Sequence, residues 1–209
     1  RDHSGPDASS IWASNHTLLG HARLIVVDPY TGSQPMTIRK NNNTYVIVYN
    51  GEIYNTSEIK NELLKKNYFF RWTSDTEVLL SAYIEWGNKF LEKINGIFSF
   101  AIWDENRQEL FLARDRFGVK PLFYFHKENL FVFASELKAL LCHPEVYPII
   151  DKTSLSDILF LGPSRTPGFG IFKNVHELKP AHYLTFDGFR INTVKYWNLI
   201  SKKHTDSIS

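Results

Sequence analysis

The sequence predicts an α+β domain in which antiparallel sheets stack face to face, with helices outside. Three observations predict it. Strands and helices alternate irregularly, without the βαβ rhythm of a parallel sheet. Paired strands joined by polar tips recur, at 97–103 with 110–114 and at 122–125 with 130–134, and read as two hairpins in series, an antiparallel meander. Their apolar residues run nearly without interruption, so both faces of this sheet are expected to be covered.

Taken in order, residues 11–12 and 17–28 read as strands, the second ending in Leu24-Ile25-Val26-Val27. A loop punctuated by Pro and Gly follows at 28–35, and a polar tip at 40–43 leads into the central strand, 45–49. That strand is expected to stop at Asn50-Gly51, with a helix beginning at Asn55, where Asn55 and Glu58 resemble a capping box. A second capping box, Ser74-Asp75-Thr76-Glu77, opens a helix that carries Val78, Leu79, Ala82, Tyr83 and Trp86 at helical spacing. Gly87 stops it. After the hairpins, short helices are expected at 136–141 and 154–161, then a strand pair at 182–186 and 189–197. A polar tail follows Leu199.

Of the 209 residues 43% are hydrophobic and 15% aromatic, which excludes a disordered chain and permits a substantial core. The 24 basic and 22 acidic side chains nearly cancel, so neither nucleic acid nor a membrane surface is an expected partner. No apolar run reaches membrane-spanning length, and neither a signal peptide nor an initiator Met precedes Arg1. The single cysteine, Cys142, rules out an intrachain disulfide and favours a reducing, cytoplasmic setting. Lying in Leu140-Leu141-Cys142-His143, it is expected to be a buried, inert core residue.

Motifs for dinucleotides, P-loop phosphates, zinc proteases, α/β-hydrolases and EF-hands are absent. The chemistry lies in polar residues set where apolar ones are expected. Asn50-Gly51, between strand and helix, is either an ordinary turn or a source of N–H donors for a developing oxyanion. Arg23, just ahead of an apolar run, needs an anionic partner if buried, and its fork suits a carboxylate. Asp75 at a helix start can cap the helix or accept an ammonium. Arg23 and Asp75 are therefore either structural ties or paired clamps for an α-amino acid.

Six stretches carry a family resemblance: Gly20-His21-Ala22-Arg23-Leu24, Ser33-Gln34-Pro35-Met36, Asn50-Gly51-Glu52-Ile53-Tyr54-Asn55, Ser74-Asp75-Thr76-Glu77, residues 113–122 and residues 134–140. In order and spacing they resemble the glutaminase domain of glutamine-hydrolysing asparagine synthetases, class II amidotransferases of the N-terminal-nucleophile hydrolase fold. The resemblance implies a four-layer αββα sandwich with mainly antiparallel sheets. It implies an oxyanion hole made by the Asn50 side chain and the Gly51 N–H. Arg23 would hold the α-carboxylate of L-glutamine and Asp75 its ammonium, with Glu52 and Leu24, Ile25, Val26 and Val27 lining the pocket. Arg114, Asp115 and Gly118 are expected to be scaffold.

The resemblance spans Gly5 to about Trp197, and it implies that residues 1–199 are one N-terminally truncated amidotransferase domain, with 200–209 a polar tail toward a synthetase domain of the same polypeptide. That domain would use ATP and Mg; no cofactor is expected in this chain. Dimerisation is a family habit. Two departures stand out. The family's nucleophile, an N-terminal cysteine whose α-amino group is the base, is not in this sequence, so the chain alone is expected to be inactive. Ser4 stands where the family has arginine, which leaves a non-catalytic scaffold, as in β-lactam-synthetase-like proteins, as the alternative.

Overall fold

The computed structural model describes residues 8–23, 33–162 and 166–201. Its strands are β1 (Ala8–Ala13), β2 (Leu18–Arg23), β3 (Met36–Lys40), β4 (Asn43–Ile53), β5 (Gly96–Asp104) and β6 (Glu109–Arg114), then β7 (Phe123–Lys127), β8 (Leu130–Ala134), β9 (Val175–Glu177), β10 (His182–Phe186) and β11 (Ile191–Lys195). The helices are α1 (Thr56–Leu64), α2 (Asp75–Trp86), α3 (Phe90–Lys93), α4 (Leu137–Leu140) and α5 (Lys152–Leu161). All described strand pairs are antiparallel.

The central sheet has six strands in the order β11-β10-β6-β5-β4-β3. Strand alternation sends Ile47, Tyr49, Phe98, Phe100, Ile102 and Phe111 to one face, where they pack with Val78, Leu79, Ala82 and Tyr83 of α2 and with Ile59 and Leu63 of α1. Val46, Val48, Ala101, Trp103 and Leu112 go to the other face. There they meet Leu19 of β2 and Tyr124, Phe131 and Phe133 of the three-stranded sheet β8-β7-β9. The outer side of that sheet packs Phe123, Phe125 and Val175 against Leu137 and Leu140 of α4. The layers are therefore helix, sheet, sheet, helix. This is the expected α+β sandwich, and its two-sided burial explains the unbroken apolar runs.

Several local expectations are corrected. The two hairpins do not form one meander: β5–β6 belongs to the central sheet and β7–β8 to the second layer. The crossover hangs on two buried charges. Asp115 accepts from the N–H groups of Phe98, Phe117, Val119 and Lys120 at 2.9–3.3 Å. Arg114 donates to the carbonyls of Lys120, Leu178 and Gly118 at 2.7–2.8 Å and pairs with Glu177 at 3.1 Å. At Gly118, φ is +69° and a Cβ would lie 2.7 Å from Pro180 Cγ, so only glycine fits the turn. The expected scaffold role of these three residues holds.

Strands β3 and β9 and helix α3 were not foreseen; each is short and lies next to Pro, Gly or polar punctuation that reads as loop. Asn55 does not cap α1 with its side chain. Its amide instead donates to the Lys93 carbonyl and accepts from the Asn95 N–H, tying α1 to the approach of β5. At α2, Ser74 caps Thr76 as expected, but Glu77 reaches the N–H groups of Arg71 and Trp72 rather than closing the box. Cys142 is exposed, not buried, because α4 ends at Leu140 and its core contact is made by Leu140. Helix α5 presents Leu155, Leu159 and Phe160 to solvent; they are 49%, 68% and 85% exposed.

Candidate active site

The strand that carries the expected oxyanion residues does not stop at Asn50. β4 pairs with β5 from Tyr45 to Ile53, so Asn50-Gly51 lies inside a strand rather than in a turn. Two glycines permit this. A Cβ on Gly51, whose φ is +156°, would collide with the Ile97 carbonyl and lie 2.7 Å from Phe98 Cα; one on Gly96 would collide with the Glu52 carbonyl. Side chains at these positions would force the strands apart.

What makes the segment a site is its other edge. β3 pairs with β4 only as far as Ile47, opposite Met36. Beyond that point the odd-numbered residues of β4 aim their N–H groups away from β5, and the partners they find are side chains. Continuing the register would put Gln34 opposite Tyr49. Pro35, joined to Gln34 by a cis peptide bond, has no N–H to extend a ladder. Gln34 uses its side chain instead: Oε1 accepts from the Tyr49 N–H, and Nε2 donates to the Tyr49 carbonyl at 3.0 Å. The Gln34 carbonyl in turn accepts from Ser10 Oγ of β1 at 2.7 Å. His21 Nε2 of β2 also meets the Tyr49 carbonyl, at 3.2 Å.

Four residues further on, the Ile53 N–H donates to Asp75 Oδ2 at 3.3 Å, and the Tyr49 hydroxyl donates to the same oxygen at 2.8 Å. Burial, reinforced by the Asp75 charge, raises the Tyr49 phenol well above its ordinary range, so it remains a donor. Between these clamped positions stands Gly51. The same parity turns its N–H toward the open edge, and no bond from it to the described residues occupies that edge. Its opposite on β5, Phe98, directs both its N–H and its carbonyl to Asp115, which gives the same parity independently.

Asn50 and Glu52 project from the face of β4 that carries Val46 and Val48, and both are exposed. The Asn50 amide has no partner among the described residues. Asp75, the first residue of α2, is half-buried, and its Oδ1 has no bond to a described residue. Arg23 ends β2, the strand whose His21 touches Tyr49. Its side chain, and Leu24, Ile25, Val26 and Val27, lie outside the described residues.

The structure thus sets Gly51 and Asp75 along an edge of β4 where no described residue bonds the Gly51 N–H, with the Asn50 and Glu52 side chains on the adjoining face that carries Val46 and Val48. The support supplied by His21 agrees with its reading from sequence as a structural histidine, whereas those of Gln34 and the Tyr49 hydroxyl had no role assigned from sequence; the signal for Gln34 was its place in Ser33-Gln34-Pro35-Met36. A crevice of about 390 Å³ between the end of α2 and the far ends of β5, β6 and β10 contains none of the expected site residues. Among the described residues, no cluster of His, Cys, Asp and Glu could hold a metal ion.

The layered α+β sandwich of antiparallel sheets is the fold expected of an N-terminal-nucleophile hydrolase. Comparison with known proteins agrees. The structure aligns with glutamine phosphoribosylpyrophosphate amidotransferase from B. subtilis at a TM-score of 0.62 and 22% identity, over 88% of this chain and 35% of that one. It aligns with the allosteric regulatory enzyme of purine biosynthesis at 0.64 and 22%, over 88% and 36%. At that identity these likenesses concern the fold alone.

The family model for the glutamine amidotransferase domain matches residues 1–197, and the chain belongs to that family. It is 53% identical over 203 residues to asparagine synthetase [glutamine-hydrolyzing] 3 of Bacillus subtilis, which covers 97% of this chain and 33% of the relative. It is 41% identical over 140 residues to asparagine synthetase B of Escherichia coli, covering 66% and 24%. The chain therefore spans a quarter to a third of the length of these relatives.

Proposed function

We propose that this domain hydrolyses L-glutamine to glutamate and ammonia within an asparagine synthetase. The observation that carries the reading is the Gly51 N–H on the open edge of β4, held between a Tyr49 peptide clamped by Gln34 and an Ile53 N–H bound to Asp75.

In this reading a cysteine thiolate at the N-terminus of the mature polypeptide, ahead of Arg1, attacks the glutamine amide carbon. Its own α-amino group takes the thiol proton and passes it to the leaving nitrogen. The negative oxygen of the tetrahedral intermediate accepts from the Gly51 N–H and from Asn50 Nδ2. The Gly51 N–H is held in place by the β4–β5 pairing before reaction, and such preorganised donors lower the barrier. Collapse releases ammonia and leaves a thioester, which water hydrolyses to glutamate through a second oxyanion at the same donors. Asp75 holds the α-ammonium with Oδ1 while Oδ2 keeps its bonds to Tyr49 and Ile53. Arg23 holds the α-carboxylate, and Glu52 with Leu24 to Val27 lines the pocket.

Ammonia would then pass to a synthetase domain of the same polypeptide, where ATP and Mg²⁺ serve the amidation of aspartate in the cytoplasm. The names of the 53%- and 41%-identical relatives support that assignment, and the apolar surface of α5 supports the packing of further chain against this domain. The same names do not favour the scaffold alternative.

The test is glutamine-dependent ammonia release by the full-length protein and its Asn50→Ala variant. Loss of turnover with nearly unchanged glutamine affinity is expected; an unaltered turnover removes Asn50 from the oxyanion hole.

A further inference from the structure

Ser99 sits on β5 directly opposite Asn50. Directly opposed residues point to the same face of the sheet, with Cβ atoms about 5 Å apart, so a serine hydroxyl and an asparagine amide there can meet. Ser99 is 2% exposed, and its Oγ is a buried side-chain oxygen without a hydrogen-bond partner among the described residues. Such a group is costly to keep unless something uses it.

Its neighbours narrow the choice. Across the other side of β5, Ser99 faces Arg114. That guanidinium is committed to three carbonyls and to Glu177, and as a pure donor it cannot accept from a hydroxyl. On the same face, Val48, Ala101 and Leu112 are apolar. Asn50 is the polar side chain directly opposite; Glu52 lies two residues further along β4.

We infer that Ser99 is a positioning residue for Asn50: its hydroxyl donates to Asn50 Oδ1 during turnover and thereby turns Nδ2 toward the oxyanion. An asparagine can serve an oxyanion hole only in one of its two amide orientations, because Oδ1 in place of Nδ2 would repel the developing charge. A buried donor beneath the amide selects the productive orientation, and an alanine at 99 would leave the two in competition. The inference rests on the proposed glutaminase reading, and the experiment separates the two.

Glutamine hydrolysis is measured in the full-length protein for Ser99→Ala, Ser99→Thr, Asn50→Ala and the Ser99→Ala/Asn50→Ala pair. Ser99→Ala should lower kcat by about tenfold with KM for glutamine little changed, while Ser99→Thr, which keeps a hydroxyl, recovers most of the rate. In the Asn50→Ala background, Ser99→Ala should have no further effect. An equal loss in both backgrounds, or no loss in either, overturns the positioning role. If Asn50→Ala itself leaves turnover intact, the oxyanion assignment fails, and that result is distinct from any effect of Ser99. Circular dichroism and thermal unfolding of Ser99→Ala confirm that a kcat loss is read on folded protein.

Discussion

The Tyr49 hydroxyl donates to Asp75 Oδ2 at 2.8 Å, joining β4 to the first residue of α2. Because the Ile53 N–H uses the same oxygen, one carboxylate oxygen fixes both the helix start and the end of the strand edge. The other oxygen has no bond to a described residue. Replacing Tyr49 by Phe should therefore loosen Asp75 rather than remove it. Glutamine KM should rise several-fold while kcat stays near the parent value, as steady-state ammonia release will report.

Alkaline stability follows from the same residue and its neighbours. Burial is the first cause of the raised phenol pKa at Tyr49, Tyr83 and Tyr196. Their folded-state values lie above the unfolded value of about 10. Between the two values the native state holds protons that the unfolded state has lost, so this contribution is complete below pH 10 and declines as pH rises beyond it. Urea midpoints measured from pH 8 to 11 should be flat at first and then fall. Tyr83→Phe, which removes one such phenol without touching the site, should make the fall shallower.

Gln34 tests whether a side chain can stand in for a strand. Gln34→Ala removes the described partner of the Tyr49 N–H and leaves the carbonyl to His21 alone, at a part-buried position and a cost of about 1–3 kcal/mol. Gln34→Glu can accept from the N–H but cannot donate to the carbonyl, so it should not restore stability. Denaturant unfolding orders the variants. Both should lose turnover beyond what stability explains, since Gly51 follows Tyr49 by two residues on the same edge.

Much of this was legible in the sequence, for identifiable reasons. The layered fold could be read because apolar runs such as Ile97 to Trp103 and Leu110 to Ala113 record burial on both faces directly. Asp75 could be placed because Ser74 marks a helix start. The end of β4 could not. Asn-Gly is a turn signal, and nothing local reveals that Ile97 and Phe98, far along the chain, will lie close enough to hold Gly51 in a strand. Gln34 was missed for a related reason: its role depends on a register between β3 and β4 that the chain acquires only on folding. Cys142 was misread because a helix expected to run to 141 ends at Leu140, and one residue there separates core from solvent.

Gly51→Ala should be the most damaging small substitution in the site. The added Cβ meets the backbone of β5, which cannot yield as a side-chain tip can, and the cost is at least about 2 kcal/mol. A lowered melting temperature together with lost turnover is expected. Gly87→Ala, at φ +57° but with open space around the added atom, should lose stability without losing activity once folded.

Asp75→Asn separates charge from scaffolding. The asparagine oxygen can still accept from the Tyr49 hydroxyl and the Ile53 N–H, so the strand edge and the start of α2 should persist, with a melting temperature close to the parent. Only the negative charge that would meet the substrate ammonium is lost. Removing one partner of a desolvated charge pair costs about 2–5 kcal/mol, so glutamine KM should rise by more than tenfold, with a smaller change in kcat. Asn50→Ala should do the reverse, raising the barrier by about 2–4 kcal/mol while leaving affinity nearly unchanged. If Asp75→Asn instead lowers kcat at constant KM, the carboxylate acts on the reacting end of glutamine, and the substrate lies along β4 in the opposite direction to the one proposed.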